Sequence, residues 1–279
     1  MRVLASPSVA AVPFDYLAHL VTVPVTVGGS VESRFVLDSG IGLSLLSASL
    51  ADAVGCAPTG ATFSGRRMSG QEVAVSLAAP VKLAFGGLER TDDRVGIFDT
   101  SGFPADFAGI GGFLSLAFFD ETPFTVDYPN GVVVLETPET LAERVSVGRV
   151  IDVAVERDGP SVTFHLPLTL PDGQSVDVEV DMGSGALILD EGLAPALGVE
   201  LDDPRVRRVD GIDETGHAYT RSFTTLAGPI HPTGAPELAQ TDPDVMFQRI
   251  IYDGLVGDDF LRRFAVTWDV GGGRMIFAV

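Results

Sequence analysis

Residues 21–42 read V-T-V-P-V-T-V-G-G-S-V-E-S-R-F-V-L-D-S-G-I-G, and residues 164–185 read F-H-L-P-L-T-L-P-D-G-Q-S-V-D-V-E-V-D-M-G-S-G. Laid over one another without a gap, the two stretches bring Pro24 onto Pro167, Thr26 onto Thr169, Asp38 onto Asp181, Gly40 onto Gly183 and Gly42 onto Gly185. The same shift then aligns Leu46 with Leu189, Leu50 with Leu193, Ala51 with Ala194, Ala53 with Ala196 and Gly55 with Gly198. Three later landmarks keep the order: Gly65 and Gly70 match Gly211 and Gly216, Gly109 and Gly112 match Gly254 and Gly257, and Thr125 and Asp127 match Thr267 and Asp269. A repeat of this length decides the architecture before any local propensity does. Two similar halves each place one aspartate at the end of an apolar strand, and an approximate twofold axis then sets the two carboxylates face to face.

The local pattern is mostly strand. Val21–Val27, Arg34–Leu37, Val73–Leu77 and Val81–Phe85 alternate or run apolar over strand lengths. Val27-Gly28-Gly29 and Pro171-Asp172-Gly173 mark tight turns at equivalent places, as do Pro129-Asn130-Gly131 and Gly271-Gly272-Gly273. The best helix candidates follow each aspartate motif, over Ser47–Val54 with Ser47 as N-cap and over Glu191–Leu197 with Asp190 as N-cap. Each stops at a glycine, Gly55 or Gly198. Thr137–Pro160 carries the charges and turn residues of a join. The expected organisation is an N-terminal lobe over 1–140 carrying Asp38, a connection over 141–160, and a C-terminal lobe over 161–279 carrying Asp181. The paired glycines at 65 and 70 and at 211 and 216 are read as hairpin tips, either plain turns or mobile flaps.

The net charge of −20 repels nucleic acid and anionic membrane, so neither is expected as a partner. The 279 residues contain no charge-free apolar run of membrane-spanning length, and Arg2 heads only a weak, Ala- and Pro-broken stretch, so a cytoplasmic protein is expected. The single Cys56 permits no internal disulfide and reads as a small buried apolar residue. None of His19, His165, His217 and His231 has metal-ligand spacing, and no G-x-S-x-G elbow or phosphate loop is present. No cofactor or metal is expected.

Two aspartates held close together cannot both ionise, because each charge raises the pKa of the other. One then serves as general base and the other as general acid, with a water between them activated for attack on a carbonyl. A glycine two residues after each aspartate lets the backbone turn sharply and aim N–H groups at the carboxylate. The segment F-V-L-D-S-G-I-G-L-S-L-L-S resembles the active-site strand and loop of retropepsin-like and pepsin-like aspartic peptidases. A-G-I-G-G-F-L and D-G-L-V-G-D-D-F-L are similar to the segment that closes the ψ-shaped loop around each aspartate in that superfamily. The resemblance spans nearly the whole chain, once per half. It implies a mainly-β, two-lobed acid-protease fold, an Asp38–Asp181 dyad at the lobe interface, and a flap over a peptide-binding cleft. Asp99-Thr100-Ser101-Gly102 is a decoy whose glycine comes one place late.

Departures from the family pattern fall in the active-site loops. Ser39 keeps the hydroxyl that ties the lobes together, next to Gly40, whereas Met182, next to Gly183, has none. Ser184 suits a hydrogen bond to its carboxylate, a role Ile41 cannot fill in the first copy. The first flap, S-G-R-R-M-S-G-Q, lacks the family's tyrosine. Arg66, Arg67 and Met68 at its tip, and His217 and Tyr219 beside the second, are the candidate substrate contacts, with solvated turn and surface strand as the plain alternatives. Two readings stay open: an aspartic endopeptidase working as a monomer on peptides, or a fold that kept its cleft for binding or for acid–base work on a small molecule.

Overall fold

The computed structural model describes residues 10–92, 94–99, 103–212 and 216–279. Its architecture is mainly β with few short helices, the acid-protease type of fold that the resemblance implies. One ten-stranded sheet draws on residues 15–114 and a second on residues 154–256. Their strand orders correspond one to one: Pro58–Arg66 corresponds to Arg207–Ile212, Val31–Leu37 to Ser175–Val180, Ile110–Leu114 to Gly254–Val256, and Asp15–Leu17 to Ala154–Asp158.

A six-stranded sheet joins the halves. Phe124–Asp127 pairs antiparallel with Ala265–Asp269 at its centre, and Thr125 stands opposite Thr267. These two threonines are equivalent in the repeat, and their hydroxyls lie 2.7 Å apart, so the approximate twofold axis passes between them. Val126 and Trp268 are buried there, the indole stacking on Phe124 at 6.1 Å, while Asp127 and Asp269 cap the turns that follow by accepting from the N–H groups of Asn130 and Gly272. Both aspartates therefore end their strands and hold the turns that follow.

The apolar alternation is realised in both halves. Val176, Val178 and Val180 face the main core, as do Phe35 and Leu37 in the first half. Val36, on the opposite face of its strand, enters a second apolar cluster with Leu20, Leu43, Leu45, Ile110 and Phe113. Cys56 is buried and directs its thiol to the carbonyl of Ala79. The helix after Asp38 spans Ala48–Ala53, with the Ser47 hydroxyl accepting from the N–H of Leu50 and Gly55 in a left-handed conformation at φ 68°. The second expected helix shrinks to a single 3-10 turn over Glu191–Leu193, because Gly192 and Pro195 interrupt it, although Asp190 does cap it. The join contains a helix over Pro138–Val147, opened by a reciprocal Thr137–Thr140 capping box, and strands over Arg149–Asp152 and Ala154–Asp158. No helix among the described residues is long and apolar enough to cross a membrane.

In each half a ψ-shaped crossing holds the aspartate. Ile110–Leu114 runs parallel to Val31–Leu37 on one side and antiparallel to Leu45–Ser47 on the other. Gly254–Val256 does the same between Ser175–Val180 and Leu187–Asp190. The threaded strand must pass very close to its neighbours. A Cβ on Gly112 would sit 2.2 Å from the carbonyl oxygen of Leu45 and 2.4 Å from the Phe35 ring, and one on Gly254 would sit 2.7 Å from the carbonyl oxygen of Ile188. Gly112→Ala is expected to lower stability by about 2–4 kcal/mol, since backbone and a buried ring cannot both retreat. Urea unfolding checks this; a loss near zero would mean that the crossing is looser than described.

Candidate active site

Both crossings end on an aspartate. The N–H of Asp38 donates to the carbonyl of Leu114 at 3.0 Å, and the N–H of Asp181 donates to the carbonyl of Val256 at 3.0 Å. Beyond each, the chain turns so that the N–H of Gly40 reaches Asp38 Oδ1 at 2.9 Å and the N–H of Gly183 reaches Asp181 Oδ1 at 2.7 Å. The two loops interlock. A Cβ on Gly40 would lie 2.5 Å from Asp181 Cγ, and a Cβ on Gly183 would lie 2.7 Å from both carboxyl oxygens of Asp38. Each glycine thus makes room for the carboxyl group of the opposite half. The backbone turn is only part of the reason for glycine at these positions.

Ser39 spans the interface between the loops. Its hydroxyl donates to the carbonyl of Val180 at 2.7 Å and accepts from the N–H of Met182 at 2.9 Å. Met182, its counterpart, points a thioether into the main core. One hydroxyl therefore ties the second loop at two points, and the opposite position contributes packing. The expectation for Ser184 is corrected: its hydroxyl donates to the carbonyl of Ala186 at 3.4 Å and not to a carboxylate. Ile41 packs against the apolar cluster around Val36.

Both aspartates are half-buried. Burial, followed by the charge of Asp181, pushes Asp38 well above the ordinary carboxyl range, and a hydrogen bond to Asp181 keeps a proton on it. Burial raises Asp181 too. It is opposed there by the N–H of Gly183, the hydrogen bond from Asp38, the N–H of Gly40 and the nearby charge of His19. More donors are aimed at Asp181 than at Asp38, which favours the negative charge on Asp181.

Three residues that carry no motif also surround the pair. His19, in the turn between Asp15–Leu17 and Leu20–Val27, places Nε2 3.2 Å from the carbonyl oxygen of Gly183. Glu179 lies two residues before Asp181 and is pushed up to about 8 by burial and by the Asp181 charge, against a hydrogen bond from Tyr252. Tyr252 is in turn raised by burial and by Glu179. The sequence does hold a signal for Glu179, the only acidic side chain in Val178–Val180 and on the same strand face as Asp181. Nothing local points to His19 or Tyr252.

The first hairpin, Pro58–Arg66 with Glu72–Ala78, reaches across to the other half. The carbonyl of Met68 accepts from the N–H of Ile251 at 2.9 Å, and the Met68 side chain packs on a cluster of Ile188, Met246 and Leu255. Arg67 belongs to the tip, its N–H bonded to the carbonyl of Gln71, while exposed Arg66 lies 3.8 Å from Glu72. Of the paired glycines, Gly65 and Gly211 sit inside strands opposite Val73 and Tyr219, which corrects their reading as tip residues, and Gly70 forms the first tip. The Tyr219 ring covers Gly211 and carries the Arg221 guanidinium at 3.9 Å. His217 is exposed, next to residues 213–215, which lie outside the described set, as do Thr100, Ser101 and Gly102 of the decoy motif.

Residues 23–114 match the family model for aspartyl proteases. That stretch, about a third of the chain, carries Asp38, Ser39, Gly40 and the threaded strand Ile110–Leu114, and over it the chain is similar to the aspartyl proteases. A search of curated proteins returned no match.

Ser39→Ala leaves the buried N–H of Met182 and the carbonyl of Val180 without their partner. A stability loss of about 2–3 kcal/mol is expected. Calorimetric unfolding measures it, and an unchanged midpoint would show that the single hydroxyl does not hold the loops together.

Proposed function

We propose that this chain, whose residues 23–114 carry the sequence of the aspartyl protease family, is a peptidase that hydrolyses peptide bonds with a water activated by Asp38 and Asp181. The observation that carries this reading is the interlock of the two loops, in which each carboxyl group fills the space left by the glycine of the opposite half. That contact gives two carboxyls one shared environment. It supports a single proton between them, the state in which acid and base coexist at one pH.

The roles follow from the donors. Asp181, held ionised by the N–H groups of Gly183 and Gly40, takes a proton from a water lying between the carboxyls. The water oxygen bonds to the carbonyl carbon of the substrate. Asp38 gives its proton to the carbonyl oxygen, which forms a neutral tetrahedral diol. On collapse, Asp181 passes a proton to the amide nitrogen, the C–N bond breaks, and Asp38 recovers its proton from the hydroxyl as the carbonyl reforms. The first hairpin, docked on the far half through Met68, supports exclusion of bulk water from this step. Both aspartates lie on one chain, so a monomer suffices.

Activity needs Asp181 ionised and Asp38 protonated. Both groups are raised, Asp38 the more, so the rate should rise with pH above the usual carboxyl value of about 4 as Asp181 ionises. It should fall again as pH climbs through the higher value of Asp38. Cleavage of a diverse peptide library from about pH 3 to 8 tests this. The expected result is a bell-shaped profile displaced toward neutral pH, with all cuts abolished by Asp38→Asn. A folded wild type that cuts nothing at any pH overturns peptide hydrolysis and leaves binding or small-molecule acid–base chemistry.

A further inference from the structure

The approximate twofold axis relates the residue two places before each aspartate, Val36 in one half and Glu179 in the other. Each shares a strand face with its aspartate and points away from the main core. A substrate bond held between the carboxyls therefore has one of these residues on each side. In the first half the surroundings are apolar and aromatic: Val36 belongs with Phe113, Phe98, Phe103 and Phe107, whose rings meet at 5.2–5.7 Å. In the second half Val36 is replaced by Glu179, and Phe107 by Tyr252, which hydrogen-bonds it. Thr22, paired with Val36, becomes His165, paired with Glu179.

We infer that the pocket on the Asp181 side of the cleft takes a cationic side chain, a lysine or arginine of the substrate, with Glu179 as its counter-charge. Glu179 is buried, and the groups acting on it are the hydroxyl of Tyr252 and the negative charges of Asp181 and Glu156. None of these is a cation. His165, the nearest basic group on the paired strand, is engaged with Glu156, its Nε2 3.3 Å from the carboxylate. A buried carboxyl without a cation is costly to ionise, and an incoming ammonium or guanidinium supplies the missing partner. Acidic side chains thus run in one direction: Glu156 at the surface, then Glu179, then Asp181. An aliphatic residue placed here would leave Glu179 and the Tyr252 hydroxyl facing hydrocarbon, and an acidic one would meet the negative charges of Asp181 and Glu156, so the pocket discriminates by repulsion as well as attraction.

This inference rests on the proposed cleft, and its test separates the two. Non-cleavable peptides carrying a hydroxyethylene group in place of the scissile amide, with phenylalanine on one side and lysine, norleucine or glutamate on the other, in both orders, are titrated calorimetrically into the wild type. Lysine should bind about tenfold or more tighter than norleucine in one order only, with glutamate weakest. Glu179→Gln should bring the lysine-to-norleucine ratio close to one. Glu179→Val, which installs the side chain already accommodated at position 36, should invert it. A ratio at or below one in the wild type, a preference that survives both substitutions, or no binding of any peptide overturns the inference. Cleavage of ordinary peptides without a basic preference would refute the inference alone. Basic-selective binding without cleavage would refute the peptidase and leave the pocket standing.

Discussion

Everything near the candidate site depends on two glycines having no side chain. A side chain on Gly40 or Gly183 would collide with the carboxyl of the aspartate from the opposite half, which lies where a Cβ would have to go. This close approach brings two acids into one buried environment, where only one of them can ionise readily. It also explains the ψ crossings on both sides. A loop that must present a carboxyl within an ångström or so of a fixed position needs its preceding strand clamped, and the threaded strands Ile110–Leu114 and Gly254–Val256 do this through Asp38 and Asp181 backbone bonds of 3.0 Å. The clamping in turn requires Gly112 and Gly254, because the strands cross too closely for a Cβ.

On this symmetric frame the two halves have diverged in a consistent direction. The first half supplies the hydroxyl that ties the loops, the apolar and aromatic layer around Val36, and the hairpin that reaches across. The second half supplies Met182 as core packing, a buried acid two residues before Asp181, and the receiving surface for Met68. Burial and the charge of Asp181 raise this additional acid, against a hydrogen bond from Tyr252. Asp38 and Asp181 are made unequal by the same asymmetry: His19 and an extra N–H favour charge on Asp181, and the charge there favours a proton on Asp38.

Much of this could be read from the chain because the features with the tightest steric demands are also the least substitutable. The Asp-x-Gly units, the threaded glycines and the Thr125–Thr267 pair survive in both copies at nearly constant spacing, and they are the places where close approach leaves no alternative. What escaped the reading depends on contacts distant in sequence. The docking of Met68 on the second half and the approach of His19 to Gly183 have no local signature. The helix at Pro138–Val147 is capped by Thr140 where a glutamate or glutamine is the usual signal, and its exposed apolar residues form no clean stripe. The second helix after Asp190 was suggested by its counterpart in the repeat but broken by Gly192 and Pro195, a case where local chemistry overrides symmetry.

The central claim is that Asp38 and Asp181 share one proton. A carboxyl carbon-13 NMR titration of aspartate-labelled protein, compared with Asp38→Asn and Asp181→Asn, tests it most directly. The account predicts one aspartate that remains protonated well above the ordinary carboxyl range and disappears in Asp38→Asn, while the titration of Asp181 moves in the same variant. Two aspartates that titrate independently near pH 4, each unaffected by loss of the other, would contradict it.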